Sequence, residues 1–148
     1  VVGSMLIGQQ VTSRDLFQDR PSATVNVVTG KPQPYAADNS GGSNLGPTNA
    51  ALVASVRASI AALRPLVGTA ALPANLVESS GSGLDPEITL QAALVQVPGL
   101  SRRTGIPAAQ LRALVARNAL GPLLGLYGPE RVNVLRLNIA LLAMERGR

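Results

Sequence analysis

The sequence contains no cysteine and no histidine, and only three of its 148 residues are aromatic: Phe17, Tyr35 and Tyr127. The absence of thiols excludes disulfides and thiolate metal sites, and the absence of imidazole removes the commonest general base and metal ligand. Ser-His-Asp, Cys-His and histidine-based zinc chemistry are therefore impossible within this chain. We predict no catalytic residues and no metal ligands.

Basic residues are scattered along the chain, with 13 Lys and Arg against 8 Asp and Glu and a net charge of +5. The adjacent pair Arg102-Arg103 has no aromatic residue near it, whereas nucleic-acid-binding surfaces cluster cations and stack bases on aromatic rings. We therefore expect no nucleic-acid partner.

The most apolar region, residues 50–72, is interrupted by Arg57, Arg64 and Pro65. We therefore expect neither a membrane span nor a signal peptide within this sequence.

The length and the hydrophobic content of 46% are those of a single compact domain with a buried core. Alternating or β-branched segments predict short strands at residues 1–11, 24–29 and 74–79. Apolar residues three or four positions apart predict helices at residues 50–63, 87–97, 100–104, 108–118 and from about 133 onward, although residues 132–135 also fit a strand. Short strands and about four helices without a βαβ alternation define an α+β fold.

Several single residues have predicted structural roles. Asn49 is placed to cap the helix at residues 50–63, which we expect to be buried on one face and to end near Arg64-Pro65. We further expect a helix cap at Asn133, a buried hydrogen-bonding side chain at Asn138 and a loop anchor at Tyr35. Arg20 is expected to tie the N-terminal strands by an ion pair, and Phe17 and Tyr127 are expected to pack in the core or at its rim.

Two Gly/Ser-rich stretches, residues 40–49 and 80–89, resemble each other and each lead toward a predicted helix. Their candidate binding residues are Ser40, Gly41, Gly42, Ser43, Asn44 and Asn49 in the first stretch, and Ser80, Gly81, Gly83 and Asp85 in the second. Glycine-rich loops at helix starts collect free N–H groups that bind anions or a partner's carbonyl and carboxylate groups. The alternative is that both stretches are well-capped helix entries packed side by side. Neither stretch contains the GxxxxGK[ST] phosphate-binding pattern.

Asp85 and Glu87 open two further interpretations. With the hydroxyls of Ser80, Ser82 and Thr89, their oxygens could contact a passing cation, or they could simply cap a helix that begins near Glu87. A hydrolase would need the two carboxylates to act together, but residues two positions apart point in different directions. For Asp85 and Glu87 we therefore favour helix capping over cation binding, and we consider both of these roles better supported than catalysis.

The sequence resembles one known family from end to end. The matching segments, in order, are Gly3-Ser4-Met5-Leu6-Ile7-Gly8-Gln9, Arg20-Pro21-Ser22-Ala23, residues 40–49, Leu76-Val77, residues 80–85 and residues 131–141. The most specific of them is Ser-Gly-Gly-Ser-Asn-Leu followed by Pro-Thr-Asn. On these residues the chain is similar to the C subunit of the potassium-transporting Kdp P-type ATPase.

The resemblance implies an accessory subunit without catalysis of its own. Its partners would be a channel-like potassium-binding subunit, the P-type ATPase subunit and a small single-span subunit, and potassium would be handled by the partner. Residues 1–148 would be a soluble extracytoplasmic domain, held at the inner (cytoplasmic) membrane by one N-terminal transmembrane helix that is missing here.

The resemblance also implies a link to ATP. The family is described as a catalytic chaperone that raises the ATP affinity of the ATPase subunit, and its Ser-Gly-Gly-Ser run has been likened to the signature loop of ABC transporters. An alternative function is therefore nucleotide binding at residues 40–44, with Gln96 or Arg102 assisting.

Overall fold

A computed structural model of the protein describes residues 3–122 and 124–147. In chain order the elements are α1 (Ala50–Val67), a 3-10 turn (Ala74–Leu76), β1 (Glu87–Thr89), α2 (Leu90–Leu94), α3 (Val97–Thr104), α4 (Ala108–Asn118), β2 (Ala119–Leu120), β3 (Arg131–Asn133) and α5 (Val134–Arg146). Within the described residues, four helices have eight residues or more and three short strands form one sheet. The predicted α+β fold is confirmed.

The sheet is antiparallel, and β3 is its central strand between β1 and β2. Val132 at the middle of β3 lies opposite Ile88 of β1 and Ala119 of β2. Ile88 is 1% exposed and Val132 is fully buried, so this face of the sheet joins the helices in one core. α5 follows β3 without a loop, α4 packs between α3 and α5, and α4 and α5 both contact β3.

The core is built almost entirely from Ala, Val, Leu and Ile, as the shortage of aromatic residues requires. Phe17 is its single aromatic member and is fully buried. Asn138 of α5 fixes this residue, since its Oδ1 accepts from the Phe17 N–H at 2.8 Å and its Nδ2 donates to the Phe17 carbonyl at 2.9 Å. The predictions for Phe17 and Asn138 are confirmed, whereas Tyr127 is 66% exposed and does not pack in the core.

Helix α4 begins and ends where the sequence predicts, and α5 runs from Val134 with Asn133 as its cap. Helix α1 is capped by Asn49, but it continues through Pro65 to Val67. Proline removes one backbone hydrogen bond from a helix. Here Leu66 and Val67 are buried beyond it, and this burial offsets the loss.

The buried face predicted for α1 is confirmed only toward its end. Leu63, Leu66 and Val67 are buried, while Val53 in the first turn remains 38% exposed. Contrary to the expectation of no span, α1 is also long and apolar enough to cross a membrane by length and composition. Its last turn, however, is packed into the domain core.

The predicted strands outside the sheet are wrong. Residues 3–11 and 24–29 contain no strand, and residues 24–32 keep only one isolated bridge between Val25 and Pro32. Asn26 is the reason in the second case, because its Oδ1 accepts from the N–H groups of Val28 and Thr29 at 3.0 and 2.8 Å and turns the chain. Residues 74–76 form a 3-10 turn instead of a strand. Residues 1 and 2 of the first predicted strand lie outside the described residues.

The helix predicted at residues 87–97 is also wrong in its boundaries. Residues 87–89 form β1, and Thr89 rather than Asp85 caps the short helix α2, its Oγ1 accepting from the Ala92 N–H at 3.2 Å. The gap between the predicted helices at residues 87–97 and 100–104 is also wrong, because Pro98 lies in the first turn of α3, where proline is tolerated. The predicted helix end at residue 104 is confirmed, since Gly105 follows it in the left-handed conformation and ends α3.

Candidate functional site

The two Gly/Ser stretches meet in space. We call residues 40–49 the first loop and residues 80–86 the second loop, since β1 begins at residue 87. The Gly41 N–H donates to the Ser82 carbonyl at 2.8 Å, and the Ser40 hydroxyl lies 3.2 Å from the same oxygen. Two segments about forty residues apart in the chain are therefore joined backbone to backbone. The side-by-side packing of the alternative is confirmed, but only the first stretch is a helix entry, since the second leads into β1.

Glycine makes this contact possible. A Cβ on Gly83 would lie 2.6 Å from the Gly41 carbonyl oxygen and 2.6 Å from the Thr24 Cγ2, and its φ of +67° is left-handed. A Cβ on Gly42 would lie 3.0 Å from the Gly81 carbonyl oxygen. By contrast, Gly41 and Gly81 face open space. The close approach that the glycines allow at Gly42 and Gly83 is thus between the two loops themselves.

A polar cluster of four side chains, Asp19, Arg20, Tyr35 and Asp85, lies beside the second loop. The Arg20 Nη1 is 2.8 Å from the Asp85 Oδ2, with the two side chains 18% and 34% exposed. The Tyr35 hydroxyl donates to the Arg20 carbonyl, which confirms the predicted anchor. Arg20 forms an ion pair as predicted, but its partner is Asp85 of the second loop, and the N-terminal strands that it was expected to tie are absent from residues 3–11 and 24–29.

Burial dominates the ionisation behaviour of this cluster. It raises the pKa of Asp19 from 3.8 to about 7, although backbone N–H groups of Arg20 and Gln9 donate to the carboxylate and lower that pKa. Burial likewise raises the pKa of Tyr35 above its ordinary value. Sequence reasoning missed Asp19. One signal was available in the sequence. Asp19 and Arg20 lie two and three residues after Phe17, the only phenylalanine, and burial of this aromatic side chain brings its neighbours close to the core.

The other predicted site residues occupy capping, exposed and buried positions. Asn49 caps α1, its Oδ1 accepting from the Ala51 N–H at 2.8 Å. Ser43 and Asn44 are exposed, and Asn44 has a left-handed φ of 53°. Within the described part of the chain, the N–H groups of Gly42, Ser43 and Asn44 have no hydrogen-bond partner. Ser80 is 7% exposed, and its hydroxyl lies 3.4 Å from that of Ser82.

The carboxylates of Asp85 and Glu87 are held apart by separate ion pairs. Asp85 pairs with Arg20, while the Glu87 Oε2 lies 2.7 Å from the Arg131 Nε. This geometry agrees with the prediction that the two groups point in different directions. Asp85 also keeps a local role, because its Oδ1 accepts from the Glu87 N–H at 3.0 Å.

Gln96, one of the two residues suggested to assist a nucleotide, is fully buried. Its Oε1 accepts from the Gln18 N–H at 2.7 Å, and its Nε2 donates to the carbonyls of Gln18 and Ala92. Arg102 is exposed on α3.

Across residues 3–122 and 124–147, no group of three or more Asp, Glu, His or Cys side chains is arranged to hold a metal ion.

The fold and the site together define a small α+β domain in which two Gly/Ser loops are joined above a polar cluster. Comparison with known proteins then identifies the family. The model of the KdpC family, described as K+-transporting ATPase, c chain, matches residues 1–143. The chain belongs to the KdpC family.

Individual relatives agree with this assignment. The potassium-transporting ATPase KdpC subunit of Methylobacterium nodulans is 51% identical over 146 residues, which cover 95% of this chain and 73% of the relative. The KdpC subunit of Rhodopseudomonas palustris is 47% identical with the same coverage. That of Methylorubrum extorquens is 46% identical over 151 residues, or 99% of this chain and 75% of the relative.

Proposed function

We propose that this chain is a non-catalytic accessory subunit of a potassium-transporting ATPase and that the joined loops form its contact surface for partner subunits. The observation that carries the proposal is the backbone contact between the loops, which leaves Ser43 and Asn44 exposed at the edge of a fixed structure. A preformed surface loses little conformational entropy on binding. The first-loop N–H groups that lack a hydrogen-bond partner within the described residues would pair with carbonyl or carboxylate oxygens of the partner.

The partners we propose are the channel-like potassium-binding subunit, the P-type ATPase subunit and the small single-span subunit. In this assignment the partner subunits bind potassium and hydrolyse ATP. The separate ion pairs of Asp85 and Glu87 support a role in assembly, since neither carboxylate is positioned to act with the other on a substrate.

The contact surface is tested best at a residue that is exposed and makes no contact between the loops. We expect Ser43→Arg to reduce recovery of the other subunits with a tagged chain by at least about fivefold, because a long cation would occupy the docking face. The matched control is Ala113→Arg on the exposed side of α4. Equal recovery of the partner subunits with both variants, at equal chain abundance, would contradict the proposed surface.

We further propose that the domain lies on the extracytoplasmic side of the inner membrane, anchored by an N-terminal helix. Because the sequence has no cysteine, a single cysteine introduced at the exposed Ala109 would be the only thiol in this chain. In intact cells, a membrane-impermeant maleimide should label it without permeabilisation. Labelling only after the inner membrane is opened would place the domain on the other side.

Nucleotide binding at residues 40–44 is the second candidate function. It is favoured by the N–H groups of Gly42, Ser43 and Asn44, which have no hydrogen-bond partner among residues 3–122 and 124–147 and are of the kind that donates to phosphate oxygens. Calorimetric titration of the folded 148-residue chain with ATP tests it directly. Saturable heat that Ser43→Arg abolishes would support this function, and the absence of heat would exclude it for the chain alone.

A further inference from the structure

The Asp19 carboxyl group joins three parts of the chain. Its Oδ1 accepts from the Arg20 N–H at 2.8 Å, and the carboxylate also accepts from the backbone N–H of Gln9 in the N-terminal segment, residues 3–11. One residue earlier, the Gly8 N–H donates to the Leu84 carbonyl of the second loop at 2.8 Å. Asp19 therefore lies where the N-terminal segment is held against the second loop.

The charges around Asp19 do not balance when both carboxylates are ionised. The titratable or charged groups that face it within the described residues are Arg20, Asp85 and Tyr35. The Arg20 Nη1 is already paired with Asp85, and the buried Arg20 Nε has no hydrogen-bond partner among the described residues. The Tyr35 hydroxyl donates to a carbonyl rather than to a carboxylate. Arg20 is thus the one cation that faces both Asp19 and Asp85 among the described residues, and all three side chains are partly shielded from water.

We propose that Asp19 is a pH-sensitive latch that holds the N-terminal segment closed when its carboxyl group is neutral and favours opening when it is ionised. The segment is the part that can move away, because residues 3–11 form no helix or strand. Its attachments include the contacts of Gly8 and Gln9 and a bond from the Asn133 Nδ2 to the Met5 carbonyl at 2.8 Å.

The balance of interactions favours the neutral form of Asp19 in the closed state. Ionisation would strengthen the two N–H bonds that the carboxylate accepts, but the cost of burying the charge is larger, so the pKa in the closed state is raised to about 7. An open segment would let water reach the carboxylate and return its pKa toward the ordinary value of 3.8. Opening should therefore become more frequent between pH 4 and 7 and level off above pH 7.

Hydrogen exchange of the 148-residue chain tests the latch. After correction for intrinsic exchange, we expect protection of the Gly8 amide to fall by up to about tenfold per pH unit from pH 5 to 7 and then to stay constant. Asp19→Asn should abolish this dependence, because the amide cannot ionise. The matched control is Asp15→Asn, which removes an exposed acid of the same region that pairs with Arg103 and should leave the dependence intact.

A second measurement needs no variant. The carboxyl carbon of Asp19, followed by NMR in the unmodified chain, should titrate near pH 7, the pH at which the loss of Gly8 protection levels off. Titration near pH 4, or the same pH-dependent protection in Asp19→Asn, would overturn the proposal.

Discussion

Replacing Gly83 with alanine tests the contact that joins the two loops. The new methyl carbon would lie 2.6 Å from the Gly41 carbonyl oxygen and 2.6 Å from the Thr24 Cγ2. Neither neighbour can easily move, since the first is backbone and Thr24 is 3% exposed with its hydroxyl bonded to the Gln33 carbonyl at 2.7 Å. The φ of +67° is also unfavourable for any residue with a Cβ.

The magnitude follows from these two costs. The left-handed backbone conformation costs alanine about 1–2 kcal/mol, and inserting a methyl group into a packed contact costs about 1–3 kcal/mol. We therefore expect Gly83→Ala to lower the free energy of unfolding by about 3 kcal/mol. In a chain of this size that corresponds to a thermal midpoint about 6–12 °C lower.

Urea and thermal unfolding followed by circular dichroism would measure this change, with two glycines of the first loop as references. Gly41→Ala faces open space and should change the free energy of unfolding by less than about 1 kcal/mol, with either sign. Gly42→Ala, whose Cβ would lie 3.0 Å from a carbonyl oxygen, should fall between the two. If Gly83→Ala and Gly41→Ala had the same stability, the close contact between the loops would be refuted.

Three further changes have defined outcomes. Asn138→Ala should destabilise the chain by about 2–4 kcal/mol in urea unfolding, because it leaves the buried N–H and carbonyl groups of Phe17 without partners. Asp19 has a raised pKa of about 7 in the folded state, so its stabilising contribution is complete below about pH 4 and is lost as the pH rises to 7. Asp19→Asn should therefore remove a slope of up to about 1.4 kcal/mol per pH unit from the unfolding free energy and stabilise the chain at pH 8. Arg20→Ala should cost about 2 kcal/mol, whereas Arg103→Ala, whose ion pair is largely exposed, should cost less than about 0.5 kcal/mol.

Each of these predictions has an outcome that contradicts it. Asn39→Ala is the control for Asn138→Ala, because it removes an exposed hydrogen bond to the Val25 carbonyl. If both variants lost the same free energy of unfolding, the buried bonds to Phe17 would stabilise the chain no more than an exposed bond does. A stability profile of Asp19→Asn that still falls from pH 4 to 7 would assign the slope to another group. Equal effects of Arg20→Ala and Arg103→Ala would show that the burial of the first ion pair contributes nothing.

Helices with a complete local signal were predicted well. For α4, Pro107 at the start and Leu111, Leu114 and Val115 on one face are all contained within the helix and its immediate flank. The caps Asn49 and Asn133 were likewise predicted, because a cap bonds to N–H groups two or three residues away. Local chemistry was sufficient wherever both partners of an interaction are close in sequence.

Strands and the polar cluster were predicted poorly for the opposite reason. Residues 87–89 have a sequence that suits a helix entry, yet they form β1 because β3, more than forty residues later, supplies its hydrogen-bond partners. Likewise, nothing near Asp19 in the sequence indicates that Asp85 and Tyr35 approach it. Long-range pairing overrides local preference, and it cannot be read from a short window.

The sequence by itself determined that cysteine and histidine chemistry is excluded, that the core is aliphatic, and that two Gly/Ser stretches are the segments most worth attention. Residue types alone decide which side-chain reactions are possible, and so these conclusions did not need coordinates. Only the tertiary structure decided that the two stretches touch, that Arg20 pairs with Asp85, and that Asp19 is buried beside them. The strength of a charge or a close contact depends on which distant groups surround it, and folding alone brings those groups together.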